Sequence, residues 1–306
     1  MLDYKKIIAS KSLRLSLLRL LNFIPDQIMI HLQYMVKTGR ILNLSNPVRY
    51  TEKIQWYKLK YKNPLMTVCS DKYSVRDYIE EKGFGYLLND IYAVYETVED
   101  IDFDALPNAF IIKHTTGSGR NIIVFDKASE DLLEIKSTIE SWLVNKPTNY
   151  GREWGYENIK SRVIVEALLP RNKDNDLPDY KFFCFNGKAE YLYTMVDYVD
   201  DHDAGRCSFF DTDFVKLPYS RSEYKPIDRD IEKPQCFNEM VELANVLSKD
   251  FPHVRVDFYD INGRVVFGEL TFYNASGYTR FNPDEFDFIM GSKFLLPTNK
   301  TDSNVI

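Results

Sequence analysis

The residues best placed to do chemistry lie in one stretch, His253-Val-Arg-Val-Asp-Phe-Tyr-Asp-Ile-Asn-Gly-Arg-Val-Val-Phe-Gly-Glu-Leu-Thr-Phe272. Strand alternation puts Arg255 and Asp257 on one face, opposite Val254, Val256 and Phe258. Asp260-Ile261-Asn262-Gly263 suits a type I turn with Gly263 in the left-handed region, closing a hairpin through a bulge. A three-residue loop then sets Asp260 beside Arg264 and Arg255 opposite Glu269, so that Arg255, Asp257 and Glu269 converge. A strict two-residue turn sends Glu269 to the other face, which makes the bulge a requirement. Two carboxylates on adjacent strands repel unless a cation lies between them, and hard oxygen ligands suit Mg²⁺ shared with phosphates. A salt-bridge cluster in which Arg255 neutralises both acids explains the same pattern.

Three stations precede this one. Phe110-Ile-Ile-Lys-His-Thr-Thr-Gly-Ser-Gly-Arg-Asn121 reads as a strand ending in Lys113, a Gly/Ser/Thr loop and a second strand. A strand-end lysine can hold polyphosphate, and Gly117 and Gly119 let backbone N–H groups close on phosphate oxygens. No Gly-Lys-Ser/Thr follows and the next element is a strand, so this is not a Walker loop. A Gly-rich hairpin with an incidental lysine is the plainer reading. Arg162-Val-Ile-Val-Glu-Ala-Leu-Leu-Pro170 is an apolar strand ending in Glu166, able to offer backbone groups to a planar base or simply to fill a core. In Asp179-Tyr-Lys-Phe-Phe-Cys-Phe-Asn-Gly187, Lys181 shares a face with Phe183 and Phe185; if buried it needs an acid or a phosphate, and if at an edge it reaches water.

The elements that must position these residues follow from periodicity. Helical patterns run near 5–24, 50–60, 71–82, 129–144, 235–249 and 283–291. Strand patterns run near 109–113, 121–126, 162–167, 180–186, 188–196, 254–260 and 264–272. Asn186-Gly187 and Asn262-Gly263 sit between strands as hairpin turns, while 197–230 is acidic and irregular and reads as a loop-rich excursion. Hairpins mixed with helices predict an α+β fold.

The 306 residues allow one large domain or two to three interlocked smaller ones. A net charge of −6 gives no bias toward nucleic acid. Cys69, Cys184, Cys207 and Cys236 show no C-x-x-C spacing, which argues against a structural zinc or a disulfide framework and favours a reducing cytoplasm. No apolar run approaches the roughly 20 residues of a membrane span, and the N-terminus lacks signal-peptide features. Between residues 5 and 24, Leu13, Leu17, Leu20, Leu21 and Ile24 form one stripe flanked by Lys5, Lys6, Lys11, Arg14 and Arg19, with no acid. Such a helix packs its stripe on a core, as half-buried helices do, or lies on the anionic inner face of a membrane.

In their order and spacing the stations resemble the ATP-grasp superfamily, in the branch similar to the teichuronopeptide biosynthesis protein TupA. The resemblance runs from about Asn46 to Pro283. It takes in Asn46-Pro47…Glu52-Lys53-Ile-Gln-Trp56, Ser70-Asp71-Lys72-Tyr73-Ser-Val-Arg76, Leu106-Pro107, the Lys113 loop, Val165-Glu166, Asp179-Tyr180-Lys181-Phe182, Arg255-Val-Asp257-Phe and Phe267-Gly-Glu269-Leu-Thr271. It implies an ATP-grasp fold holding the nucleotide between two mixed subdomains: a helical extension over 1–70, a small subdomain over 71–160 and a large one over 161–306. It also implies ATP and Mg²⁺. Lys72 and Lys113 look like the lysines that grip phosphates, and Gly117, Ser118 and Gly119 like the loop over the γ-phosphate. Glu166 looks like the adenosine-pocket acid, with the backbone of Ala167 and Leu168 facing adenine. Lys181 resembles the lysine that reaches phosphate or substrate carboxylate, Asp257 and Glu269 the Mg²⁺ ligands, and Arg255 the cation that stabilises acyl-phosphate and tetrahedral oxyanions. Many members carry Asn two residues after the metal-binding Glu; here Thr271 stands there, with Asn274 a substitute on the following loop.

The implied reaction activates a carboxylate as an acyl phosphate, which an amine then attacks to give an amide. The resemblance points to a uronic acid of a surface polysaccharide or its precursor and an amino acid or small amine. Three other readings stay open: a phosphotransferase acting on a hydroxyl, a sugar-nucleotide glycosyltransferase using Asp211-Thr212-Asp213, and a non-catalytic nucleotide-binding relative. Asp200-Asp-His202-Asp203 reads as a solvated loop or a metal site. His114 and His253 read as strand-end caps or proton-transfer groups.

Overall fold

A computed structural model describes residues 10–117, 119–144, 149–199 and 204–297. Ser118, residues 5–9 and Asp200 to Asp203 therefore lie outside the described residues. The chain opens with helices α1 (Lys11–Leu20), α2 (Asp26–Thr38), α3 (Tyr50–Lys60), α4 (Pro64–Ser70) and α5 (Val75–Glu81). Ser10 starts α1 by accepting the Leu13 N–H at 3.3 Å. Pro25 then stands in extended backbone, so a separate helix, α2, begins at Asp26, where no helix is expected from periodicity.

The leucine stripe of α1 does not pack on the core. Leu13 is 52% exposed, Leu20 71% and the following Phe23 83%. Helix α3, in contrast, is fixed into the molecule by charge and capping. Glu52 accepts the N–H groups of Val48 and Arg49 at 3.0 and 3.1 Å ahead of the helix. Lys53 donates to the Gly291 and Phe294 carbonyls, both at 2.8 Å, and so caps the end of a C-terminal helix.

A smaller antiparallel sheet is built from β1 (Ile91–Tyr95), β2 (Phe110–His114), β3 (Asn121–Val124) and β4 (Val163–Glu166), in the order β1-β4-β2-β3. Helix α6 (Leu132–Val144) supplies Ile135 and Ile139 to a core shared with Phe110, Ile112, Val124, Val163 and Val165. Strand β4, which a division at residue 160 assigns to the second half, thus belongs to this smaller sheet. Strand β1 lies outside the expected strands, because its half-exposed residues give no clean alternation.

The larger sheet holds β5 (Asp179–Phe185), β6 (Lys188–Val196) and β7 (Arg206–Phe210), followed along the chain by a short β8 (Ser220–Arg221) and helix α7 (Phe237–Leu247). The hairpin β9 (His253–Ile261) and β10 (Arg264–Thr271) completes it, in the order β10-β9-β5-β6-β7. Strand β11 (Phe281–Asn282) pairs with β8, and α8 (Glu285–Lys293) follows. Strands β7 and β8 fall inside the stretch expected to be loop.

Both Asn-Gly turns are present, with φ of 52° and 78° at Asn186 and Gly187 and of 55° and 81° at Asn262 and Gly263. These left-handed pairs match two-residue type I′ hairpins. One face of the large sheet is apolar and packs on α7: Phe182 lies 5.7 Å from Phe237, ring to ring, and Val254, Val256 and Phe258 are fully buried. The opposite face changes character along its length. At one end Phe183, Phe185 and His253 surround Tyr50 of α3, with ring centroids 5.9, 6.0 and 5.3 Å away. At the other end lie the charged residues of the site.

Candidate functional site

Cross-strand register assembles the site. On the face away from α7, Lys181 of β5 stands opposite Asp257 of β9, which stands opposite Glu269 of β10. One row along, Phe183, Arg255 and Thr271 are aligned in the same way. The expected bulge exists, but not at the turn. The hairpin closes on two residues, pairing Ile261 with Arg264, and the register shifts between Phe267 and Glu269, at Gly268. Without that shift Gly268 would face Asp257, and Glu269 would face Val256 and the apolar side. Arg255 accordingly lies opposite Thr271 rather than Glu269, and the convergence of Arg255, Asp257 and Glu269 comes from Gly268 instead of Gly263. Glycine suits that position because a Cβ there would lie 3.0 Å from the Asp257 carbonyl oxygen.

The cluster is densely bonded. Arg255 Nε and Nη2 donate to the two oxygens of Asp257 at 2.7 and 2.6 Å, and Nη2 reaches Glu269 Oε1 at 2.9 Å and Thr271 Oγ1 at 3.0 Å. Its Nη1 donates to Asn274 Oδ1 at 2.6 Å. Lys181 Nζ lies 2.7 Å from Asp257 and 2.5 Å from Asp179. Burial opposes the charged forms of Lys181 and Arg255, yet Asp179 and Asp257 hold the lysine, and Asp257 the arginine, well above their ordinary values. Burial would raise the Glu269 carboxyl, but Arg255, Lys72 and Lys181 outweigh it and bring it down to about 2. Asn274 is buried and bonded to Arg255, with its amide directed at Thr279 Oγ1. It therefore supports the arginine.

The smaller sheet and α5 supply the facing wall. Lys113 pairs with Glu166 at 2.6 Å diagonally across strands β2 and β4, where Lys113 stands opposite Ile164 and Glu166 opposite Ile111. The backbone N–H of Lys72 bonds the Thr115 carbonyl, and its Nζ donates to the Gly117 carbonyl at 2.6 Å, tying the lysine to the Gly loop. Gly117 and Gly119 have φ of 73° and 75°, conformations that side chains other than glycine rarely adopt. Desolvation and the neighbouring Lys113 lower the Lys72 ammonium, while Glu269 raises it. Asp71, just past the end of α4, pairs with Arg162, just ahead of β4, at 2.6 Å; this brace carries no signal in either segment alone.

Two expectations change here. The Ala167 N–H donates to the Asp90 carbonyl at 2.9 Å, and its own carbonyl accepts from Asn89 Nδ2 at 2.7 Å. Its backbone is engaged within the protein, by continuation of the β1–β4 pairing, instead of facing adenine. Leu169, not Leu168, reaches the cavity between the sheets.

Two cavities adjoin the cluster. One of about 300 Å³ lies between the sheets and is lined by Lys72, Arg76, Lys113, Gly117, Gly119, Arg120, Glu166, Lys181, Asp257 and Glu269, among others. A second, of about 640 Å³, runs toward the helical side past Arg255, Thr271, Tyr273 and Glu153. Lys72, Gly117, Gly268 and Glu269 line both. Among the described residues no three His, Cys, Asp or Glu side chains gather at metal-binding spacing. Asp257 and Glu269 nevertheless offer hard oxygens side by side, and Glu269 is the more open of the two, its side chain 41% exposed against 2% for Asp257. That donor set fits a Mg²⁺ that takes its remaining ligands from phosphate.

His114 and His253 are held in structural hydrogen bonds. His253 receives the Tyr50 hydroxyl at 3.0 Å on Nε2 and donates from Nδ1 to the Cys184 carbonyl at 2.9 Å. Burial, with a smaller contribution from Arg255, pushes it down to about 3, so it stays neutral. His114 is lowered by burial and bonds Thr116 and Ser161. Asp211, first of the Asp-x-Asp triplet, uses Oδ1 to accept the N–H groups of Asp213 and Val215 at 3.0 and 2.8 Å, a turn-forming role.

The TupA-like ATPgrasp family matches residues 52–295, and the chain belongs to that family. No curated protein matches the sequence. Among solved structures, D-alanine–D-alanine ligase from Bacillus anthracis complexed with ATP is 17% identical at a TM-score of 0.42, covering 67% of this chain and 55% of its own. The ATP-grasp ligase PsnB, complexed with minimal precursor, Mg and ADP, is 14% identical at a TM-score of 0.39, covering 73% and 57%. The D-cycloserine synthetase DcsG is 15% identical at a TM-score of 0.42, covering 75% and 70%. The chain thus spans just over half the length of the first two.

Proposed function

We propose that this chain is an ATP-dependent carboxylate–amine ligase that forms an amide through an acyl phosphate. The observation that carries the reading is the junction of the two cavities at Lys72, Gly117, Gly268 and Glu269. A nucleotide whose phosphates reach that junction from the first cavity presents its γ-phosphate to whatever fills the second.

Each residue then has a task. Lys72 and Lys113 hold the polyphosphate, and the glycines of the 117–119 loop close over its end. Glu166 keeps Lys113 directed along the β2–β4 edge. Asp257 and Glu269 would hold Mg²⁺, which supplies charge neutralisation on the transferring phosphoryl group. Arg255 sits beside both acids and next to the second cavity, where it stabilises the oxyanions of acyl phosphate and tetrahedral species. Lys181 balances Asp179 and Asp257 and faces the first cavity, within reach of phosphate or the substrate carboxylate.

The carboxylate is taken to be a uronic acid of a surface polysaccharide or its precursor, and the nucleophile an amino acid or small amine. ADP release measured over a panel of uronic acids and amines tests this, repeated with Asp257→Asn and Glu269→Gln. Amide as the product supports the ligase; a phosphoester would identify a phosphotransferase instead. ADP release independent of both acceptors, or unchanged in the two variants, ends the proposal.

A peripheral contact of residues 5–24 with an anionic lipid surface is the second element of the reading. It is favoured by the exposed Leu13, Leu17, Leu20 and Phe23 in a segment with five basic residues and no acid. Co-sedimentation with phosphatidylglycerol vesicles, but not with phosphatidylcholine vesicles, is expected, and Leu17→Glu with Phe23→Glu should abolish it. Equal sedimentation with both lipids, or none with either, removes the membrane from the account.

A further inference from the structure

Asn89, in the segment between α5 and β1, occupies the Ala167 backbone that would otherwise be open to a bound base. Its Nδ2 donates to the Ala167 carbonyl at 2.7 Å, and the next residue, Asp90, accepts the Ala167 N–H at 2.9 Å. A carbonyl oxygen only accepts, so the amide atom turned to it is the nitrogen, and the orientation of the Asn89 side chain is thereby fixed. The main chain of Asn89 is held as well: Arg76 Nη1, from α5, donates to its carbonyl at 2.9 Å.

Asn89 also lines the first cavity, together with its neighbour Leu88 and with Leu169, two residues beyond Ala167. The side chain is half-buried, and its Oδ1 takes no hydrogen bond among the described residues. The same cavity is lined by Lys72, Lys113, Gly117 and Gly119, which suit phosphates. Where Leu88, Asn89 and Leu169 adjoin, two apolar side chains meet an amide oxygen. A planar base suits the leucines, and an open acceptor beside them suits a base that carries an N–H donor. Arg120, which also lines this cavity, turns Nη1 to the Trp142 carbonyl at 3.3 Å.

We propose that Asn89 reads the base: its Oδ1 accepts from the exocyclic 6-amino group of adenine, so that a 6-aminopurine is taken in preference to a 6-oxopurine. This rests on the reading of the first cavity as the nucleotide site of a ligase. It deepens that reading by giving base selection to a side chain in place of the Ala167 backbone. A 6-oxo group in the same position sets one acceptor against another, in a half-buried setting where an unmade hydrogen bond is costly. The competing acceptor is the Ala167 carbonyl, through its second lone pair, and removal of the Asn89 side chain would leave that oxygen more open, not less.

Calorimetric titration of the full chain with ADP and with inosine diphosphate, each with Mg²⁺, tests the idea. The two nucleotides differ only at the 6-position and in the proton on the adjoining ring nitrogen. ADP should bind the native protein about tenfold more tightly or better, the range expected when a hydrogen bond is exchanged for an unpaired acceptor. Asn89→Ala should erase the preference by weakening ADP, while binding of inosine diphosphate persists and shows the variant to be folded. Asn89→Asp keeps an oxygen acceptor and should retain part of the preference. Equal binding of the two nucleotides by the native protein, or a preference undiminished in Asn89→Ala, overturns the proposal and leaves the nucleotide site standing. The ligase reading fails by a different result, the absence of binding of either nucleotide to the native protein.

Discussion

One face of the large sheet holds two regions that differ in almost every physical respect. Around Tyr50, the rings of Phe183, Phe185, His253 and Phe281 fill space by edge-to-face contact. From Arg255, opposite Phe183, onward along the same sheet, Arg255, Asp257, Lys181, Asp179 and Glu269 neutralise one another within hydrogen-bonding distance. The first region is apolar and complete; the second is charged and opens on two cavities. The difference teaches that the aromatic half fixes the strands whose register the charged half needs, so that stability and chemistry are separated by a single step in β5 and β9.

Substitutions can break that division. Phe183→Ala should destabilise the fold by about 3–5 kcal/mol through cavity formation, measured by urea unfolding. Glu269→Gln should do the reverse. It should lower ATP-dependent turnover by about a hundredfold to a thousandfold, as loss of a transition-state electrostatic partner does. Its stability should change by no more than about 1 kcal/mol, because the side chain is partly open to solvent. A large stability loss in Glu269→Gln with normal turnover would falsify the division.

The pH dependence sharpens it. His253 is held neutral down to about 3, below its ordinary 6.5. Its contribution is therefore complete above pH 6.5 and disappears as pH falls toward 3, at up to about 1.4 kcal/mol per pH unit. Glu269, lowered to about 2 from 4.5, loses its contribution only between pH 4.5 and 2. Native stability should thus begin to fall near pH 6.5, and His253→Gln should flatten the curve between pH 6.5 and 4.5 and make the fall below pH 4.5 shallower, leaving the Glu269 part. The smallest expected effect is at the bulge: Gly268→Ala should cost about 1–2 kcal/mol from the tight contact with Asp257. It should also reduce turnover, unlike a change of the same energy among the aromatics.

Much of this was legible in the residues. Alternation placed Lys181 with Phe183 and Arg255 with Asp257, and the Asn-Gly pairs located both hairpins. Three features were not. The bulge was needed by the chemistry but assigned to Gly263, because a turn signal is local and strong, whereas Gly268 becomes special only beside the Asp257 carbonyl. Ala167 looked free because its partners, Asn89 and Asp90, lie in a segment of weak pattern. Glu153 carried no signal at all: an acid in a loop reads as solvated until the fold sets it in a cavity wall. The N-terminal stripe is a different case, since periodicity reports that one side of a helix is apolar and is silent on what covers it.

The extra residue at Gly268 also bears on how this chain can tolerate change in length. Between Gly263 and Glu269 the strand counts in twos, and the bulge resets that count once. Loss of Gly268 alone would make the pairing regular and still leave Glu269 opposite Asp257, whereas one residue more would set Glu269 opposite Val256 and turn it and Thr271 to the α7 side. A chain with such an insertion should fold and lose turnover, so the segment should resist gain of a residue more firmly than loss of that glycine.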